Sequence, residues 1–265
     1  MRILFALILT CCAAFAGDTL ITGKWNQNAA VASSGALWPT NASIGANFWW
    51  EPSVGAYVTN SSIATLPELA HGAAFNLTNK GAAGTFYVQG PTLNGLATIY
   101  GVSASTTLLE NTAVTMVPPY EIMALLTTTN DNNGVEMLWD SPSGGDYVDH
   151  VTGSSSTFQS AFYGTGAMCR DVTNKYFIFN VRIDTASDAV IWTNSVQGKA
   201  LTGVSAGGNN GFLFGKYHST GDAGTLNLAC LLIFTNQDLT SSFWQSQRSN
   251  AWYYLSNRYA LTLPN

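Results

Sequence analysis

From residue 176 to 184 the sequence alternates at every step. Phe177, Phe179, Val181 and Ile183 fall on one side, and Asn180, Arg182 and Asp184 on the other. Successive side chains of an extended strand point to opposite faces, so this pattern is a strand with one buried side; on a helix it would scatter the apolar residues around the axis. Residues 120–129 repeat the pattern, with Tyr120, Ile122, Ala124 and Leu126 together. So do residues 135–139, with Val135, Met137 and Trp139 together. Shorter β-prone stretches fall at 85–89, 189–193, 211–216 and 226–235.

Turn chemistry separates these runs: Asn132-Asn133-Gly134, Ser143-Gly144-Gly145-Asp146, Gly207-Gly208-Asn209-Asn210-Gly211 and Gly221-Asp222. Gly and Asn accept the left-handed backbone that tight reversals require. Many short strands between such turns predict an all-β sandwich or barrel. The 265 residues suffice for one large sandwich, and neither a linker-like segment nor an internal repeat divides them. One segment has a different period. Trp244, Gln247, Ala251, Leu255 and Tyr259 recur at helical spacing, which predicts an amphipathic helix over 241–258, N-capped by Thr240, packed on the sandwich flank.

Only 9% of residues are charged, against about 25% in an average soluble protein. The surface is therefore built from Ser, Thr, Asn, Gln and Gly, which suits an extracellular protein. Net charge is -5 and the ten basic residues are scattered, so neither nucleic acid nor an anionic membrane surface is an expected partner.

At the N-terminus Arg2 precedes an apolar run over 3–15, and Ala14-Phe15-Ala16 fits a small-x-small cleavage site. Residues 1–16 thus read as a secretory signal peptide, with a buried strand or helix as the competing reading. The run is shorter than the roughly 20 residues a spanning helix needs, so no membrane span is expected in the mature chain. Residues 17–47, with Trp25 and Trp38, read as an extended lead-in to a sandwich over 48–265. Beyond the leader only Cys169 and Cys230 remain. In an oxidising compartment they could pair, adding roughly 4 kcal/mol in the chain-entropy model; two separate buried thiols are the alternative.

The order of segments resembles the laminin-G-like members of the concanavalin A-like lectin and glucanase superfamily. Phe48-Trp49-Trp50-Glu51-Pro52 resembles the family's tryptophan-bearing start, and Asn94-Gly95-Leu96-Ala97-Thr98-Ile99-Tyr100-Gly101 its strand before the main jelly roll. Val190-Ile191-Trp192-Thr193-Asn194 is similar to its Asn-Gly hairpin. The most specific block runs from 227–240 into the helix that ends Tyr254-Leu255-Ser256-Asn257-Arg258-Tyr259-Ala260-Leu261. The resemblance covers roughly residues 48–263 and implies an antiparallel jelly-roll β-sandwich with a non-catalytic binding role. The chain departs from the family at 66–77, where the usual Asp and Ser-Gly are missing; this weakens any transfer of ligand or calcium residues.

Bond-breaking chemistry finds little support in the residues. Retaining glucanases of this fold carry Glu-x-Asp-x-x-Glu on one strand, and their two carboxyls must stand about 5–5.5 Å apart. The nearest match, Glu136 and Asp140, spans about 13 Å along a strand. Gly203-Val204-Ser205-Ala206-Gly207 fits a nucleophile-elbow pattern, but a Gly/Asn turn and a strand follow it instead of a helix, and no acid stands between Ser205 and the later His218. His71, His150 and His218 are too dispersed for a metal triad.

Binding chemistry has candidates. Trp49, Trp139, Tyr163 and Trp192 could stack on the apolar face of a sugar, or could fill the core. Asp131, Asn133, Asp146 and Asp149 could supply oxygens to Ca2+, or could set turns. The expected role is a non-enzymatic, extracellular carbohydrate- or glycoprotein-binding adhesion module. A structural surface subunit that self-assembles or orders against a neighbour, as in a virion fibre, decoration protein or filament, is the second reading. A cryptic glycoside hydrolase or lyase is the third.

Overall fold

The computed structural model describes residues 39–40, 42–54, 57–59, 62–80, 87–101, 109–128, 135–141, 148–151, 158–162, 165–169, 175–185, 188–202, 209–215, 226–235 and 241–262. They lie within one compact unit, Leu37–Asn265. The signal-like segment and the lead-in up to residue 38 fall outside them.

Seventeen strands and one helix make up the described fold. One layer holds β1 (Phe48–Trp50), β6 (Ile99–Gly101), β8 (Tyr120–Thr128), β13 (Phe177–Thr185), β14 (Asp188–Thr193), β15 (Val196–Thr202) and β17 (Leu226–Thr235). The other holds β2 (Tyr57–Thr59), β3 (Ser62–Leu66), β4 (Leu77–Asn79), β5 (Tyr87–Gln89), β7 (Leu109–Met116), β9 (Val135–Asp140), β10 (Val148–Val151) and β16 (Asn209–Phe214). All pairings are antiparallel, in the order β10-β9-β16-β7-β4-β3-β5-β6-β17-β8-β13-β14-β15, with β1 beside β17 and β2 beside β3. A separate hairpin pairs β11 (Phe158–Phe162) with β12 (Thr165–Cys169). The fold is an all-β sandwich, as the alternation predicts.

The alternating residues face where their period puts them. Ile122, Ala124 and Leu126 of β8 and Phe177, Phe179, Val181 and Ile183 of β13 are buried against Val114, Met116, Trp139, Phe212 and Phe214 of the opposite layer. Rings meet across the layers: Trp139 lies 5.6 Å from Phe179, and Trp50 stacks at 6.2 Å on Phe212. The other face of the first layer carries a second core. Met123, Leu125, Ile178, Leu232 and Phe234 pack under helix α1 (Ser242–Arg258), which contributes Trp244, Ala251, Tyr254 and Leu255.

Strand β17 lies between both cores, and all ten of its residues are buried. A strand covered on both sides needs no alternation, which explains its unbroken apolar run. A bulge between Leu228 and Cys230 shifts its phase. Leu226 and Leu228 face the interlayer core, Ala229 and Cys230 both face the helix, and Leu231 returns inward.

The helix begins one residue later than expected. Ser241 is the cap, its hydroxyl accepting from Trp244 N at 3.1 Å. All five residues of the predicted stripe are buried. The stripe is partly polar, since Gln247 and Asn250 donate to the carbonyls of Ala42 and Ser43 at 2.9 and 2.8 Å. The described end of the lead-in therefore forms turns under one flank of α1, where Ile44 is fully buried. Asn94-Gly95 makes a tight turn at positive φ of 50° and 82°, closed by reciprocal Leu93–Leu96 backbone bonds of 2.9 and 3.0 Å. The Asn94 amide also donates to the carbonyl of Tyr259, tying this turn to the helix end.

Candidate functional site

Three of the predicted sugar platforms are buried. Trp139 is 1% exposed and belongs to the interlayer core, and Trp49 is 6% exposed beneath the helix. Adjacent strand residues point oppositely, so Trp50 turns into the interlayer core while Trp49 turns toward α1. Trp192, 5% exposed, has its ring covered by two guanidinium groups. These rings fill space; they are not open platforms. Tyr163, Asp131, Asn133 and Asp146 lie outside the described residues. Asp149 sits on β10 opposite Met137, with its side chain outside the described set. Among the described residues, no three His, Cys, Asp or Glu side chains converge as a metal site, and no helix is long and apolar enough to cross a membrane.

The Cys169–Cys230 bridge is not formed. Cys230 is a free, buried thiol on the bulge of β17, its Sγ 3.9 Å from Glu51 Oε2. Cys169 lies on β12 opposite Phe158. Burial, followed by the nearby Glu51 carboxylate, pushes the Cys230 thiol well above its ordinary range. Only a thiolate is nucleophilic, so Cys230 should resist iodoacetamide at pH 8 in the native protein and alkylate fully in denaturant. Peptide mapping checks this, and rapid native labelling would show that the face under α1 opens readily.

Among the described residues, four acids are buried despite the chain's low charge: Glu51, Glu68, Glu121 and Asp140. Glu51 joins β1 to the end of α1. Its Oε2 accepts from Trp49 Nε1 at 3.0 Å and the Tyr254 hydroxyl at 2.8 Å. Its Oε1 accepts from Ser53 Oγ at 2.6 Å and from Arg258 Nε. Burial acts to lower Arg258, but Glu51 prevails and holds the guanidinium above its usual range. Glu68 organises the loop that departs from the family pattern. Its oxygens accept from four backbone N–H groups, those of Trp49 (2.9 Å), Ala70 (2.9 Å), His71 and Gly72 (3.1 Å). Gly72 takes a φ of 92°, which a side chain would strain. Asp140 caps the next residue's N–H, its Oδ1 accepting from Ser141 N at 2.6 Å.

The third cluster lies where the other flank of α1 meets β13 and β14. Glu121 of β8 stands opposite Arg182 of β13. The Glu121 oxygens accept from Asn180 Nδ2 and from Trp244 Nε1, the latter at 2.7 Å. Burial raises the Glu121 carboxyl above its ordinary range, against the pull of Arg248 and the two hydrogen bonds. Arg182 is answered by Asp184, with Nε 2.6 Å from Oδ1 and Nη2 donating to Oδ2 at 2.8 Å. The Arg248 guanidinium lies 4.4 Å from the centre of the Trp192 ring and 5.4 Å from that of Trp252. Among the described residues Glu121 is the acid paired with it, with Nη1 4.0 Å from Oε2. Beside this cluster the hairpin exposes Gln197, Ala200 and Thr202, cross-strand partners of Trp192, Val190 and Asp188.

Among the described residues, Trp192 is the one predicted site residue that belongs to this cluster. Glu121, Asn180, Arg182, Arg248 and Trp252 were not singled out. Their signal was available: in a chain this poor in charge, ionic residues on core strands and beside a helical apolar stripe need partners.

No family model matches this sequence, and no curated protein matches it. Solved structures share the fold. The binding domain of Paraclostridial Mosquitocidal Protein 1 aligns at a TM-score of 0.53 and 10% identity, over 80% of this chain and 53% of that one. The binding domain of botulinum neurotoxin serotype G aligns at 0.51 and 12% identity, over 80% and 51%. The chain thus spans about half the length of these domains, and the likeness is one of fold.

Proposed function

We propose that this chain is a non-catalytic binding module for polysaccharide or glycoprotein, acting outside the cell, within the concanavalin A-like group its sequence resembles. The observation that carries the reading is what the buried acids do. Glu51, Glu68, Glu121 and Asp140 each accept fixed hydrogen bonds that hold backbone or helix in place. A general acid or base must instead reach its substrate's proton. The two fold neighbours, by name binding domains, support the same direction. The neutral Ser/Thr/Asn/Gln surface suits hydrogen bonding to hydroxyls.

A glycan array and affinity electrophoresis in polysaccharide gels test the proposal. Saturable binding to at least one glycan class, without release of reducing sugar, is expected. Blank results across broad panels would remove it, and sugar release abolished by one carboxylate substitution would replace it with a hydrolase.

A further inference from the structure

We propose that the junction of α1 with β13 and β14 binds the carboxylate of an acidic sugar, received by the Arg248 guanidinium and the Trp252 indole N–H; this deepens the binding-module reading and rests on it. Arg248 Nε, Arg248 Nη1 and Trp252 Nε1 are buried atoms with no hydrogen-bond partner. Buried donors in folded proteins are nearly always paired, and unpaired ones on a cation are among the most costly. The acids nearby are already occupied. Asp184 is paired with Arg182, and Glu121 accepts from Asn180 and Trp244 while standing 4.0 Å from Arg248 Nη1, too far for a hydrogen bond. The Asn180 Oδ1 acceptor is also unpaired.

A carboxylate answers this arrangement. A carboxylate oxygen accepts charge-assisted hydrogen bonds from separate guanidinium and indole N–H groups, and a neighbouring hydroxyl on the same ligand donates to Asn180. The surroundings favour a sugar over an acidic peptide. The rim is neutral and polar: exposed Gln197 and Thr202 lie on the hairpin, and exposed Gln245 stands one helical turn before Arg248. With a net charge of -5 and Arg182 already neutralised, the site suits one negative charge on a hydroxylated body better than a polyanion. Entry requires side-chain movement, and half-buried Trp252 is the aromatic group at the surface placed to move.

The test titrates the full chain with glucuronate, its methyl ester and glucose, followed by tryptophan fluorescence and calorimetry. Glucuronate should bind saturably, and the two neutral sugars should not. Arg248→Gln should weaken glucuronate by about tenfold to a hundredfold. Trp252→Phe, which keeps an aromatic ring and removes the indole N–H, should weaken it severalfold; it decides the matter if Arg248→Gln fails to fold by circular dichroism. Equal binding of the methyl ester, wild-type affinity in the variants, or binding of oligoglutamate without glucuronate would overturn the assignment. If glucuronate fails while neutral glycans on the array bind, the site is wrong and the module reading stands; if no glycan binds, the module reading itself fails.

Discussion

Glu51→Ala should cost about 3–5 kcal/mol of stability, the range seen when one member of a buried ion pair is removed. In a domain of this size that is a fall in Tm of roughly 6–20 °C. The carboxylate is fully buried and serves four donors at once: an indole, a phenol, a serine hydroxyl and a guanidinium. Alanine removes the carboxylate that Trp49, Tyr254 and Arg258 share as an acceptor and leaves a cavity in its place. The loss is asymmetric, because an orphaned buried donor costs more than an intact bond contributes. A double replacement with apolar residues, Glu51→Leu with Arg258→Met, should recover part of the loss by removing charge and partner together. Urea unfolding measures both. A loss under about 1 kcal/mol in Glu51→Ala would mean that α1 docks through its apolar residues alone.

The two kinds of residue in this network explain what the sequence could and could not reveal. Alternation at 120–126 and 177–183 specified which side chains enter the interlayer core, while Met123, Leu125 and Ile178 on the opposite face are buried under the helix, which the alternation did not show. The helical stripe from Trp244 to Tyr259 was equally plain, since one face of α1 is buried along its length. Short strands such as β4 and β6 left almost no pattern, because three residues cannot display a period. The tryptophans were ambiguous for a related reason. Trp49 and Trp50 are neighbours in sequence yet serve two different cores, and composition alone cannot separate a core ring from a platform. The polar junctions were the hardest to see. Glu51 meets Arg258 across 207 residues and Glu121 meets Trp244 across 123, so nothing local in the sequence joins them. The Glu68 loop differs, because three of its four donors lie within four residues, and a lone acid before Ala70, His71 and Gly72 was a readable hint.

Trp50→Ala should be comparably severe, at about 3–5 kcal/mol, the usual range for deleting a buried aromatic ring. Trp50 is fully buried and sits where the layers meet. Its ring stacks at 6.2 Å on Phe212 of β16 in the opposite layer and at 5.7 Å on Phe48 of its own strand. Its Nε1 donates to the carbonyl of Phe75 at 3.0 Å, which fixes the 3-10 turn Ala73–Phe75 that Glu68 leads into. Three layers of structure therefore converge on one side chain: β1, the far sheet and the loop before β4. Trp50→Phe separates the contributions. It keeps most of the ring contact and removes the hydrogen bond, so it should cost about 1–2 kcal/mol, the loss expected when the Phe75 carbonyl goes unpaired and a small void opens. Trp49→Phe makes the informative contrast, because that ring lies under α1 and its N–H bonds to Glu51 instead of a backbone carbonyl. If Trp50→Ala and Trp49→Ala proved equally mild, at under about 1 kcal/mol each, the two-core packing assigned to β1 would be wrong.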